Sequence, residues 1–261
     1  MTTLIEILKN SFIVLKKEPK LFLPKIFLSL LWGTLLLYSV NLLVEIQKIN
    51  SISSIEIQMN LLNELYSSIL FLAVFSFVFF LLDTIINSAY PLMIQKYLKK
   101  ESFSVFNSIK TVLQNFWKII LPVLIVFFVS LIVLIPFTVL LSFSFVQKDF
   151  ILSGILALIV VVIVFAVTVL FYFIYPVAVI EKKGLISVIN TIKKSKNNLK
   201  EASFGTFIAL ILSVFSAFLA AFSETPEVSI IALLIFFLLR IITAILATYS
   251  MVLNPLLYFK K

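Results

Sequence analysis

Few side chains of this sequence could take part in chemistry, and two of them are charges inside otherwise apolar segments. Asp83 lies in FLLDTIINSAYP and Arg240 lies in IFFLLRIITAIL. A charge at membrane depth is costly unless it is paired or hydrated, so both residues are candidates for a functional site. The sequence has no histidine and no cysteine, which removes the usual neutral-pH acid–base group and thiolate chemistry. We therefore expect no catalytic residue, no metal and no cofactor.

Polar and small residues recur at helical spacing around both charges. These residues are Arg240, Thr243, Ala247, Ser250 and Asn254 in one segment, Asp83, Asn87 and Tyr90 in another, and Thr168, Tyr172 and Tyr175 in a third. Together they would line a polar path along the axis of a helix bundle. Alternatively, Asp83 and Arg240 neutralise each other, or the polar residues only bind helices together. Another segment carries a stripe whose small residues favour close helix packing: Thr206, Ala209, Ser213, Ser216 and Ala220.

The elements that would position these residues are membrane spans. Of 261 residues, 62% are hydrophobic and 13% are charged, whereas a soluble domain is about half apolar and a quarter charged. A spanning helix needs about 20 mostly apolar residues, and six segments qualify. They are Leu21–Val44, Tyr66–Ile94, Ile119–Phe143, Ile151–Ile180, Phe204–Phe222 and Val228–Phe259. The sequence predicts an all-α protein with one integral membrane domain, residues 1–261.

The lysines predict the orientation of these spans. Eighteen of them lie before the odd-numbered spans or after the last span, and only Lys48 and Lys148 lie in the other three connections. The positive-inside rule then places both termini in the cytoplasm, in the cytoplasmic membrane of the cell. The net charge of +9 is thereby explained without nucleic acid. The lysines would either bind anionic lipid headgroups or only mark the topology, and protein partners are not indicated.

Recurring phrases predict an internal repeat. FSVFNSIK, residues 103–110, returns 83 residues later as ISVINTIK, residues 186–193, with five of eight positions identical. The even-numbered spans share an ending with a charge five residues after its proline: Tyr90-Pro91, Tyr175-Pro176 and Asn254-Pro255. Each proline is expected to kink or end its helix. We infer three parallel repeats, about 1–95, 96–181 and 182–261, related by an axis along the membrane normal.

Each predicted repeat begins with an amphipathic segment. In residues 103–118, Phe106, Ile109, Val112 and Leu113 share an apolar face, and Ser108 lies on the polar face. Residues 186–199 and, more loosely, residues 4–17 show the same division. Apolar side chains on one side and lysines on the other are typical of a helix in the membrane interface, so three such helices are expected on the cytoplasmic side.

The stretch YPVAVIEKKGLISVINTIKKSKNNLK, residues 175–200, combines a proline, an apolar run, a glutamate, a glycine and a helix with a serine. This pattern resembles the six-span proteins grouped with the membrane domain of glycerophosphoryl diester phosphodiesterases and their relatives. The matching residues are Pro176, Glu181, Gly184 and Ser195. In that group the phosphodiesterase activity, where present, belongs to a separate soluble domain. The resemblance therefore implies a membrane fold and no activity.

Three classes of function remain open at this point. The first, which the sequence favours, is a non-enzymatic accessory or scaffold protein of the membrane. The second is a transporter of small solutes that uses the axial polar residues. Transporters usually have helices broken near the middle of the membrane, whereas the prolines here lie near the cytoplasmic ends. The third is a lipid-modifying enzyme, which is disfavoured because no convergent acid–base group is visible.

Overall fold

The computed structural model describes residues 3–50, 55–221 and 230–260, and all regular elements in these ranges are helices. A 3-10 turn, Pro19–Phe22, joins the first two α-helices. The α-helices are α1 (Leu4–Lys17), α2 (Leu23–Asn50), α3 (Ile55–Leu98), α4 (Val105–Gln114), α5 (Phe116–Val146), α6 (Phe150–Leu170), α7 (Ile174–Glu181), α8 (Ile186–Asn197), α9 (Leu199–Ala221) and α10 (Ile230–Tyr258).

Six segments of these helices are long and apolar enough to cross a membrane, which confirms the predicted number of spans. The segments are Pro19–Ile46, Leu65–Leu98, Phe116–Ser144, Phe150–Glu181, Leu199–Leu219 and Ile230–Tyr258. The predicted ends Phe222 and Val228 lie outside the described residues. The fifth span lies in α9 and begins at Leu199, not at the predicted Phe204. The helix continues through charged residues that a search for apolar segments leaves out.

The fourth span consists of two helices, and the break lies just before the proline that was expected to kink or end this span. Helix α6 ends at Leu170, and α7 starts at Ile174 after a turn. Pro176 explains the break, because it has no N–H to donate to the carbonyl of Tyr172 four residues earlier and its ring would clash there. The side-chain amide of Asn254 donates to that carbonyl instead, at 2.5 Å. The other two prolines of the shared ending, Pro91 and Pro255, lie inside α3 and α10.

The spans form three hairpins that close into a ring. Helix α2 contacts α3, α5 contacts α6, and α9 contacts α10. The second helix of each hairpin also contacts the first helix of the next one, in the pairs α3–α5, α6–α9 and α10–α2. The ends of α3 and α10 and the short helix α7 contact one another on the inside. This arrangement encloses the polar side chains of the even-numbered spans.

The buried core lies at one end of the ring, which we call the lysine-rich end. It is formed by α1, α4 and α7 with the adjoining ends of the long helices, and includes Tyr90, Met93, Ile120, Phe173 and Leu253, each at most 1% exposed. Toward the other end, large apolar side chains such as those on the middle of α5 and α6 are exposed. Exposed apolar area of this extent is expected where the surroundings are lipid.

Each short helix buries a hydroxyl residue, whereas part of the apolar face that was expected to enter the membrane interface is exposed. In α4, Ser108 is buried, while Phe106 and Leu113 are 73% and 50% exposed. Helices α1 and α8 likewise bury hydroxyl residues, Ser11 in the first and Thr191 in the second. Each of these three hydroxyls donates to the carbonyl four residues earlier. A small side chain with a satisfied hydroxyl allows close approach to the bundle. Apolar residues such as Leu15 and Val112 are buried beside these hydroxyls, and Phe106 and Leu113 remain on the outside.

Candidate functional site

Asp83 forms an ion pair with a residue that the sequence analysis did not consider. Its Oδ1 lies 2.5 Å from Nζ of Lys25, which belongs to α2 and is 7% exposed. Its Oδ2 accepts a hydrogen bond from the side-chain amide of Asn87 at 2.9 Å, one helical turn further along α3. These two contacts, one to each carboxylate oxygen, compensate in part for placing the carboxylate in an apolar segment. The pair also fixes the first two spans to each other.

Arg240 lies where α10 meets α2. The hydroxyls of Ser29 and Thr243 both donate to its carbonyl oxygen at 2.8 Å, and its guanidinium carbon lies 4.9 Å from the centre of the Phe236 ring. Close contact is possible here because Gly33 of α2 has no side chain. A Cβ at that position would lie 3.1 Å from Phe236 and 3.4 Å from Arg240. The local sequence thus brings the backbone of α2 against the intramembrane arginine.

Asp83 and Arg240 line the same cavity, which we call cavity one. It has a volume of about 350 Å³ and lies between α2, α3, α9 and α10. Besides the two charges and Lys25, its polar wall consists of Ser29, Ser213, Ser216, Thr243 and Ser250. Volumes of this size fall at the lower end of the roughly 300–1,000 Å³ that is usual for small-molecule sites. The predicted stripe of α10 and much of the small-residue stripe of α9 therefore face a shared polar space.

A second cavity, cavity two, adjoins the first inside the ring. It has a volume of about 260 Å³, and Ala209 and Ser250 belong to the walls of both cavities. Its polar wall contains the predicted residues Thr168, Tyr172 and Asn254. The break in the fourth span lies directly beside it, because Phe171, Tyr172 and Ile174 form part of the wall.

Asn87 joins the two regions. Its amide donates to Asp83 and also, at 3.4 Å, to the hydroxyl of Tyr175 in the wall of cavity two. Tyr90, one turn further along α3, lies outside both walls and donates its hydroxyl to the carbonyl of Leu21 at 2.8 Å. The six intramembrane candidates are thus brought into one connected region: Asp83, Asn87, Thr168, Tyr172, Arg240 and Asn254.

The four residues of the family-like pattern lie elsewhere, at the lysine-rich end. Pro176 is the third residue of α7. Glu181 ends this helix and accepts a hydrogen bond from the side chain of Asn190. Gly184 adopts a left-handed backbone, with φ +59°, in the turn that leads to α8. Ser195 is fully buried. This group fixes α8 to the bundle, and none of its members lines either cavity.

The sequence analysis missed Lys25 and Gly205, which both help to build the site. Lys25 was counted only as a topology signal, although it is the lysine placed inside a predicted span and lies one turn before Ser29. Gly205 supports the ring of Tyr172, since a Cβ there would meet the tyrosine hydroxyl at 2.1 Å. Among residues 3–50, 55–221 and 230–260, no group of three or more acidic residues could hold a metal ion.

We expect Lys25 and Asp83 to be strongly coupled in a double-mutant cycle. Lys25→Met or Asp83→Asn alone should lower the free energy of unfolding in detergent by about 1–3 kcal/mol, because each leaves one charge without its partner. The loss is smaller than for a fully buried pair because the side chain of Asp83 is 33% exposed. The double variant should recover much of that loss. The matched control is the more exposed pair of Glu18 and Lys20, 3.0 Å apart, for which a coupling below about 1 kcal/mol is expected. Additive losses at Lys25 and Asp83 would contradict the pairing.

Two glycines provide a test of the contact between α9 and Tyr172. Gly205→Ala should destabilise the protein by about 1–3 kcal/mol, because its Cβ would overlap the tyrosine and force it to move. Gly154→Ala in α6 is the control, since no atom lies within 4 Å of the added Cβ, and it should be neutral or stabilising by up to ~1 kcal/mol. Thermal unfolding in one detergent measures both. Equal effects at the two positions would show that Tyr172 does not rest on Gly205.

No family model, curated protein or solved structure matches the chain. The resemblance to the six-span membrane family therefore stays a prediction, and the functional argument rests on the geometry of the two cavities.

Proposed function

We propose that the protein is a non-enzymatic multi-pass membrane protein that binds a small polar solute in cavity one and carries it across the bilayer. The observation that supports this most is that Lys25, Asp83 and Arg240 face a common space of about 350 Å³ between four helices. Ionisable groups around an intramembrane cavity are typical of substrate and ion pathways.

The helix that closes cavity one favours binding over simple packing. Ala209, Ser213 and Ser216 of α9 were expected to bring helices into close contact, but they line the cavity. Because they are small, they leave space beside the ion pair. The hydroxyls of Ser213 and Ser216, with those of α10, supply hydrogen-bonding groups that a polar solute needs when it leaves water.

The broken fourth span favours transport over static binding. Secondary transporters often have discontinuous helices beside the substrate site, and their unwound turns supply polar backbone groups. Here the break at residues 171–173 borders cavity two, which adjoins cavity one at Ala209 and Ser250. The hydrogen bonds from Asn87 to both Asp83 and Tyr175 connect the ion pair to α7. A movement of Asp83 would therefore alter the hydrogen bonds that reach α7, next to the break.

We also propose that the chain consists of three parallel repeats. The hairpins contact one another in the same order around the ring, from second helix to first helix. The buried hydroxyls of the short helices occur in the same local phrase, which reads Asn10-Ser11, Asn107-Ser108 and Asn190-Thr191. This agreement between sequence phrase and buried position supports a pseudo-threefold arrangement.

The lysine-rich end would face the cytoplasm, with α1, α4 and α8 in the membrane interface. The side chains of Phe106 and Trp117 are 73% and 72% exposed. They would enter the acyl-chain boundary, and nearby lysines would contact anionic lipid headgroups. Both termini then lie inside the cell, and the lipid bilayer is the one partner that the surface indicates.

The solute site can be tested with purified protein and a defined panel. Thermal stability in detergent is measured with amino acids, dicarboxylates, inorganic phosphate and neutral sugars, each added separately. A solute that fits cavity one should raise Tm, because it binds only the folded state. Ser213→Phe, which fills the cavity, should abolish that rise. Val214→Phe, one residue further along α9 and 69% exposed, should retain it.

Transport is then tested by counterflow of the stabilising solute in liposomes containing the wild type or Ser213→Phe. Uptake by the wild type and the Val214→Phe control alone would support the proposal. If no panel member raises Tm, or if the rise persists in Ser213→Phe, the solute site is wrong and an accessory role is favoured.

The proposed orientation is tested with single cysteines, since the sequence contains none. Gln147 and Asn107 are both exposed and lie on opposite sides of the proposed membrane. Gln147→Cys should react with a membrane-impermeant maleimide in intact cells, and Asn107→Cys should react only after lysis. The reverse pattern would overturn the orientation.

A further inference from the structure

We propose that cavity two is a second binding site, which takes a monovalent inorganic cation such as sodium. The site would be formed by neutral oxygen atoms around Tyr172 and Asn254, which are 7% and 8% exposed. It differs from the solute site in position and in chemistry, and it does not depend on the proposed solute.

The side-chain oxygen of Asn254 accepts no hydrogen bond from any of the described residues. Its amide nitrogen donates to the carbonyl of Tyr172 at 2.5 Å, which fixes the orientation of the side chain. Its Oδ1 is then buried without a hydrogen-bond partner. Buried carboxamide oxygens are normally paired, so an unpaired one beside a cavity indicates a missing donor or cation.

Tyr172 contributes a second unsatisfied oxygen to the same wall. Its hydroxyl is buried and makes no hydrogen bond of standard geometry within residues 3–50, 55–221 and 230–260, and its ring rests directly on Gly205. The buried hydroxyl of Thr206, beside that glycine, is also without a partner. Two residues in the wall of cavity two, Asn254 on α10 and Tyr172 in the turn between α6 and α7, thus each carry an unsatisfied polar atom, whereas Thr206 lies outside this wall.

The other polar groups of the wall favour a cation over an anion. The hydroxyls of Ser130 and Thr168 each donate their proton to a carbonyl four residues earlier, both at 2.7 Å. Their oxygen lone pairs remain, but their protons are used, so they suit a cation and not an anion.

The uncharged wall of cavity two indicates the valence of the cation that it would bind. The residues that line cavity two include no lysine, arginine, aspartate or glutamate. Divalent cations are usually bound by carboxylates, whereas transporters bind sodium with unwound carbonyls and neutral side chains at broken helices. A monovalent cation therefore fits this wall, and its binding would hold α7, α9 and α10 together.

The test is a titration of purified protein with NaCl, KCl or LiCl, with choline chloride keeping the ionic strength constant and no solute added. One alkali cation should raise Tm by roughly 3 °C or more in a saturable manner. Tyr172→Phe removes only the hydroxyl and should weaken the apparent affinity at least about tenfold, as should Asn254→Ala. Tyr249→Phe is the control, because its hydroxyl donates to Leu8 outside the cavity, and it should respond like the wild type.

Line broadening of ²³Na in solution with the protein gives a second readout that does not depend on unfolding. Identical titrations in all four chlorides would overturn the proposal and leave water as the occupant of cavity two. A response that persists in both Tyr172→Phe and Asn254→Ala would overturn it as well. Ser213→Phe distinguishes the two sites, since it should lose solute binding and keep the cation response.

Discussion

The ion pair between Lys25 and Asp83 is the contact on which the intramembrane arrangement depends. Taking both charges out of water is costly, and at 2.5 Å their attraction offsets much of that cost. An apolar pair would fill the same space without this cost, so stability alone does not explain these residues. Because Asn87 continues the network to Tyr175 on α7, the pair connects helices from two hairpins. A solute that competes for either charge would change the contacts made by both hairpins.

The sequence predicted the parts of this structure that depend on local pattern. Long apolar runs located the spans, and spacing along one helix identified Arg240, Thr243 and Ser250 as one face. The partner of Asp83 was missed because Lys25 lies 58 residues away, and only the packing of α2 on α3 brings the two together. The burial of Ser108 in α4 was not anticipated for another reason. An amphipathic pattern separates apolar from polar residues, but inside a membrane the apolar residues can face lipid and a small polar residue such as Ser108 can face protein.

The two cavities have different origins: small side chains border cavity one, and a missing main-chain N–H accompanies cavity two. In cavity one, the small side chains of α9 leave room opposite the charges of the first hairpin and α10. In cavity two, Pro176 removes a main-chain donor, and the helix breaks at residues 171–173. Asn254 satisfies the carbonyl that this break frees, but its own oxygen is left unpaired. One proline thus accounts for both the irregular backbone and the unpaired side-chain oxygen of Asn254 beside it.

The location of the buried core has a consequence for how the ring can open. Residues such as Tyr90, Phe173 and Leu253 hold the helices together at the lysine-rich end, whereas the opposite halves of the hairpins present much of their apolar surface outward. Separating the helices at that opposite end would exchange few protein contacts for contacts with acyl chains, which are similarly apolar. Separating them at the lysine-rich end would disrupt most of the core. The membrane leaflet that surrounds the looser end, through its thickness and chain order, should therefore determine how readily the cavities become accessible from that side.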